Sequence, residues 1–206
     1  MSDFHRIIIV ADGVLAAFPE AVLSLFGKDE SVIQQGNPEM SDWLGVSSEE
    51  MWNKIRDTKS FWRDLKTYPW SESLQKACSL WGCTSISLGD SHSPDVVCQR
   101  FHWGAKNLHE LQHAVNDDLL AKARSDSVLI SDSSTLTSMF RAAGGWAILF
   151  PTLWNENWVA RSVSDWRPVS YVCTELELIH HTVAAFQERN HTALAYRLRM
   201  NNKKGE

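Results

Sequence analysis

The sequence predicts an α/β fold, a Rossmann-like core on a parallel sheet with a small helical lobe inserted after the first strand. Three observations lead to this. Residues 6–10, RIIIV, form a β-branched run that is apolar on both faces, which suits a strand buried in a parallel sheet. Similar short runs recur down the chain and alternate with segments of helical periodicity, the pattern that lays helices on a parallel sheet. From residue 19 to about 70 the alternation lapses. That stretch is rich in Ser, Glu, Asp and Trp and contains no convincing strand.

The first strand breaks at Ala11-Asp12-Gly13 and the chain resumes as the apolar run Val14-Leu15-Ala16-Ala17-Phe18. Strand, acidic turn and helix start make up a first Rossmann-like unit, and ligands of such sheets bind beyond the carboxyl ends of the strands. Within the lobe, Ser47 or Ser48 can cap a helix over 48–55, with Glu49 and Glu50 in its first turn. The spacing then predicts a helix over 72–80, a strand over 84–88, a polar loop over 89–94 and a helix over 96–108. A third strand follows at 127–130. The Ser131-Asp132-Ser133-Ser134 turn caps a helix over 135–143, Gly144-Gly145 stops it, and a fourth strand at 146–150 ends at Pro151. Last comes a long helix in which Val169, Val172, Leu176, Ile179, Val183 and Phe186 form one apolar stripe. The stripe is expected to pack on the chain's own sheet. Its heptad-like steps make a homodimer seam through 169–186 the minority alternative. The expected domain division is 1–18 plus 71–188 for the core, 19–70 for the lobe and 189–206 for a basic tail.

The chain has 206 residues, 44% apolar and 22% charged, with a formal net charge of −5. That is enough chain for one domain with a real core. The acidic balance argues against nucleic acid as a partner, since phosphate contacts need clustered Lys and Arg. No apolar run reaches the ~20 residues needed to cross a bilayer, and the start lacks signal-peptide architecture. The four cysteines (78, 83, 98 and 173) show neither C-x-x-C spacing nor a disulfide framework. The expected location is the cytoplasm. Ten tryptophans are many for this length, and four of them (43, 52, 62 and 70) lie in the lobe.

Three segments carry a family likeness. Residues 8–18, IIVADGVLAAF, resemble the opening motif of the haloacid-dehalogenase superfamily, and of its 5′(3′)-deoxyribonucleotidase branch in particular, whose pattern reads D-x-D-G-V-L-A-D-F. Residues 128–133, VLISDS, with 140–151 and Trp154-Asn155, resemble the fourth motif and the helix and strand after it in phage and bacterial relatives. Residues 60–65, SFWRDL, are similar to the cap segment that holds the nucleobase in these enzymes. The resemblance implies a core of that superfamily with a helical cap, and a 5′-nucleotidase-like site that uses Mg²⁺.

The departures bear directly on chemistry. The family's attacking Asp, which also ligates Mg²⁺, aligns with Val10, whose side chain can neither form an aspartyl-phosphate nor bind a metal. The second Asp, the family's general acid and base, is retained as Asp12. It cannot simply substitute for the first, because two residues along a strand is a shift of about 6.6 Å and in-line attack needs atoms ~3–3.5 Å apart. The phosphate-holding hydroxyl aligns with Leu88, although Thr84, Ser85 and Ser87 lie nearby. The region expected to supply a Lys, residues 116–120, offers acids, with Lys122 the nearest cation. The metal-binding Asp pair reads Ser131-Asp132.

The expected function is therefore that of a pseudoenzyme. It binds a nucleotide-like ligand without cleaving it, for example as a bacterial or viral sponge for a nucleotide signal, and has weak or no Mg²⁺ binding and no catalytic residue. Asp12, Phe18, Phe61, Trp62, Arg63 and Asp132 are the expected ligand contacts. A phosphate would reach Arg63, Arg100 or a helix N-terminus. Two alternatives stand beside this. One is a protein-interaction module anchored by exposed Trp43, Trp52, Trp70, Trp154, Trp158 and Trp166. The other is an active phosphatase using Asp12, Asp90, His92 and Asp132, or a metal at His109 and His113. His180 and His181 are expected at the surface.

Overall fold

The computed structural model describes residues 6–88, 94–108, 111–112, 116–155 and 167–202. Its centre is a parallel sheet of five strands, β1 (Arg6–Val10), β2 (Cys83–Ser87), β3 (Leu111–Gln112), β4 (Ser127–Ser131) and β5 (Trp146–Leu149), in the order β3-β2-β1-β4-β5. β1 sits between β2 and β4, with Val10 opposite Ser87 and Ile9 opposite Ile130. That central position explains why β1 is apolar on both faces: Ile7, Ile8 and Ile9 are all buried. The α/β class with a parallel sheet is as the sequence predicts.

The connection from β1 to β2 contains the lobe. Helix α1 (Phe18–Leu25) starts with Pro19, whose fixed φ and missing N–H suit a first helical turn. Short helices α2 (Met40–Leu44), α3 (Ser48–Asp57) and α4 (Phe61–Asp64) follow. α3 opens with a full capping box, in which the Ser47 hydroxyl accepts from the Glu50 amide and the Glu50 carboxylate accepts from the Ser47 amide. The lobe is tied back to the turn after β1 by backbone bonds from Ala17 N–H to Lys66 O and from Tyr68 N–H to Leu15 O. The Trp70 indole N–H donates to Val14 O at 2.9 Å. One apolar cluster then runs without a break from Ile7 and Ile9 through Phe18, Trp43, Ile55 and Trp62 to Leu176. A smaller cluster on the opposite face gathers Ile8, Val10, Leu119, Leu129, Leu136, Phe140 and Ala147.

The remaining helices are α5 (Ser71–Ser79), α6 (Pro94–Asn107), α7 (Asn116–Leu120), α8 (Ser134–Ala142) and α9 (Arg167–Asn202). Three features differ from the sequence reading. β3 and α7 were not anticipated: a two-residue strand and a one-turn helix carry too little periodicity to stand out. α9 continues helical to Asn202, so the step expected at 188/189 is not marked by a helix end. Of the apolar stripe of α9, Val172, Leu176, Ile179 and Val183 join the main core and Val169 packs against it. His180 is half-buried with its ring 5.5 Å from that of Trp81, whereas His181 is exposed. No helix among the described residues is long and apolar enough to cross a membrane.

Candidate functional site

At the carboxyl ends of β1 and β4 the chain makes two tight turns, and between them lies a cavity of about 410 Å³. Asp12, Gly13, Phe18, Trp43, Trp52, Arg100, Asp132 and Trp154 contribute to its wall, with Glu39 and Met40 closing it from the lobe. The first turn follows from hydrogen bonding. The amides of Val14, Leu15 and Ala16 all converge on Ala11 O, and Gly13 N–H reaches Ala16 O. Gly13 has φ +71°, and a Cβ there would lie 2.1 Å from Asp132 Oδ2. Glycine is thus required both for the left-handed backbone and for the close approach of the Asp132 carboxylate.

The second turn is organised by its serines and by Asn155. Ser131, fully buried, accepts from the Ser133 amide, and Ser133 caps α8 by accepting from the Leu136 amide. Asn155 donates to Asp132 O at 2.9 Å and to Phe150 O at 2.8 Å. The Trp154 indole N–H donates to Asp132 Oδ2 at 3.0 Å. Burial pushes the Asp132 carboxyl up to about 7, opposed by the Trp154 hydrogen bond and assisted by the negative charge of Asp12. The neighbouring acid Glu20 accepts from the Tyr68 hydroxyl.

Asp12 is held differently. Its carboxylate forms an ion pair with the Arg100 guanidinium, whose side chain is 4% exposed. Burial raises the Asp12 carboxyl above its ordinary range, while the charge and hydrogen bond of Arg100 pull it back. Arg100 in turn lies over the Trp62 ring at 4.8 Å. Trp62 stacks on Phe18 at 5.5 Å and 12°, and Phe61 meets both rings edge-on. Phe61 and Trp62 therefore stand behind Phe18, and it is Phe18 that faces the cavity. Arg63 is 75% exposed, pairs with Asp64, and is not part of the cavity wall.

Val10 and Leu88, the positions aligned with the family's nucleophile and phosphate-holding hydroxyl, do not line the cavity. Val10 belongs to the cluster with Leu119 and Leu136, so the end of β1 is closed by apolar packing. Leu88 is 1% exposed in the main core. Of the six expected ligand contacts, Asp12, Phe18 and Asp132 converge on the cavity; Phe61, Trp62 and Arg63 do not. Gly13, Trp43, Trp52 and Trp154 were not assigned to this site from the sequence. The lobe's excess of tryptophan was the available signal, because Trp43 packs on Trp154 with ring centroids 5.7 Å apart and Trp52 stacks on Phe18. Trp43, Trp70 and Trp154 are buried and Trp52 is half-buried, so they are not the exposed anchors that an interaction module needs. Asp90, His92, His109, His113, Trp158 and Trp166 lie outside the described residues.

Mg²⁺ asks for an octahedral shell of oxygens built on carboxylates. Here Val10 offers no donor, Asp132 Oδ2 already accepts from Trp154, and Asp12 is paired with a guanidinium that would repel a divalent ion. This donor set does not fit the metal.

No family model matches the chain, and no curated protein matches it. Solved structures do. A haloacid dehalogenase-like family hydrolase from Xanthomonas campestris aligns with a TM-score of 0.52 at 11% identity, covering 89% of this chain and 94% of that one. A hydrolase of the same family from Streptococcus pneumoniae aligns with a TM-score of 0.51 at 10% identity, covering 76% and 89%. At such identities the likeness is one of fold, and the fold of this chain is that of the haloacid dehalogenase-like hydrolases.

Proposed function

We propose that the protein binds a nucleotide-like small molecule in the strand-end cavity and does not hydrolyse it, acting without a metal. The observation that carries this reading is the Asp12–Arg100 ion pair beside a β1 end packed with aliphatic side chains. An attacking oxygen is missing where the fold would need one, and the retained acid is neutralised by the protein's own cation. The cavity suits the ring and sugar end of such a ligand. Trp43, Trp52, Phe18 and Trp154 supply flat apolar surface, and Asp12, Asp132 and Glu39 accept hydrogen bonds from amines and hydroxyls. Sequestration of a nucleotide signal is the biological role that this chemistry fits.

A thermal-shift screen of nucleosides, nucleotides and cyclic nucleotides, with and without Mg²⁺, tests the reading. A ligand that binds only the folded protein raises its Tm by mass action. The expected result is concentration-dependent stabilisation by at least one nucleoside-bearing compound in metal-free buffer, without release of inorganic phosphate. Mg²⁺-dependent phosphate release from any of them, abolished by Asp12→Asn, would overturn it.

A further inference from the structure

A second concavity, of about 340 Å³, lies between α4 and α6 and is chemically the opposite of the strand-end cavity. Lys59, Arg63, His102 and Lys106 line it together with Trp62, Cys98, Gln99, Trp103 and Asn107, and among the described residues no Asp or Glu lines it. In a chain of net charge −5, a concavity with three permanent cations and no acid among its described lining residues is a marked local reversal of sign. Its construction is regular. Cys98, His102 and Lys106 stand at i, i+4 and i+8 on α6, with Gln99, Trp103 and Asn107 in the adjoining row. Lys59 and Arg63 face them from the α4 side, also four residues apart. The Arg63–Asp64 pair is exposed on both sides, and such pairs rearrange at little energetic cost.

The floor is aromatic. Trp103 is fixed by donating from its indole N–H to Leu65 O at 2.7 Å. Trp62 is 2% exposed, and its indole Nε1 is a buried donor with no hydrogen-bond partner. A buried donor without an acceptor is rare in folded proteins. The two concavities are distinct sites with Trp62 as a shared support, since its ring also carries Arg100 and Phe18 of the other cavity.

We propose that the α4–α6 groove is a binding site for a phosphate monoester carried on a planar ring, with Lys59, Arg63 and Lys106 holding the phosphate and Trp62 and Trp103 supporting the ring. Phenyl phosphate is the probe, titrated calorimetrically into the full chain at low and moderate salt, with inorganic phosphate and phenol as separate arms. Phenyl phosphate is expected to bind saturably and more weakly as salt rises, and each half-molecule to bind at least about tenfold more weakly. The double substitution Lys59→Ala/Lys106→Ala, at two exposed positions, is expected to weaken phenyl phosphate about tenfold with the Tm unchanged. In ¹⁵N-correlated spectra the indole signals of Trp62 and Trp103, assigned through single Trp→Phe variants, should move on titration while those of Trp43 and Trp154 stay in place. Absence of saturable binding, unchanged affinity in the double variant, or movement confined to Trp43 and Trp154 would each overturn the site. Release of phosphate from the probe would count against the proposed function and leave this site standing.

Discussion

Asp132 is the side chain whose surroundings have the clearest thermodynamic consequence. Its carboxyl titrates near 3.8 when solvated and at about 7 in the fold, chiefly because burial penalises its charge. Between those values the folded chain holds a proton that the unfolded chain has released. The contribution of this group to stability is thus fully present below the unfolded pKa and is lost as pH rises through the folded one. Asp132→Asn keeps an oxygen for the Trp154 indole and removes the titration. Its melting temperature relative to the parent is expected to climb between pH 4 and pH 8, by the equivalent of about 1–2 kcal/mol once partial contact with the cavity is allowed for. A difference that does not change with pH would refute this account of Asp132. Arg100 is the complementary case. Arg100→Leu leaves the half-buried Asp12 without its counter-charge and is expected to cost about 1–3 kcal/mol in denaturant unfolding, whereas Arg100→Leu combined with Asp12→Asn recovers a substantial part. Equal losses in the single and double variants would mean that the pair is not coupled. Neither relation was open to sequence reading. Asp12 and Arg100 are 88 positions apart, and nothing in the spacing of a lone arginine on an amphipathic helix says which acid it meets.

Elements differ in how plainly the sequence announces them. β1, β4 and β5 were legible because each is a short β-branched or aliphatic run bounded by turn residues, and α9 because its stripe steps by threes and fours. α3 was legible from its start: of the two candidate caps, Ser47 is the one used, and the structure adds a capping box between Ser47 and Glu50. Ser47→Ala is expected to lower global stability by about 1 kcal/mol, seen as a shift of the denaturation midpoint at constant slope. Retention of the parental midpoint would show that the box is not formed in solution. β3 and α7 were illegible for a physical reason. They are too short to carry a period, and within α7 it is Leu119 that reaches the core cluster beside Val10. The way the lobe docks was equally hidden. It depends on three bonds between the lobe and the segment after β1, donated by the Ala17 amide to Lys66 O, by the Tyr68 amide to Leu15 O and by the Trp70 indole to Val14 O, and sequence periodicity does not report such long-range pairings. Trp70→Phe keeps the ring and removes the indole donor to Val14 O. Hydrogen exchange is expected to quicken in residues 13–17 and 66–70 ahead of the sheet, and uniform quickening across β1 and β4 would instead mark Trp70 as a general core residue.

For the molecule as a whole, the question is whether the strand-end site is a phosphatase centre lacking one atom group or a different site on a shared fold. Val10→Asp separates these. If only the nucleophile were missing, restoring a carboxylate at the end of β1 would bring back some turnover of phosphate esters. The structure argues for the opposite outcome. Val10 is 8% exposed and packs with Ile8, Leu119, Leu129, Leu136, Phe140 and Ala147. A carboxylate introduced there meets aliphatic and aromatic carbon, and an unpaired charge in such surroundings costs several kcal/mol unless it stays protonated. The variant is therefore expected to be about 3 kcal/mol less stable at neutral pH, to regain part of that loss below pH 5, and to release no phosphate from p-nitrophenyl phosphate with or without Mg²⁺. Mg²⁺-dependent turnover by Val10→Asp at parental stability would show that the β1 end is an open catalytic position after all. Because the substitution acts on the face of the sheet opposite the main core, ligand binding at the cavity around Asp12 and Trp154 should survive it in whatever fraction of the variant remains folded.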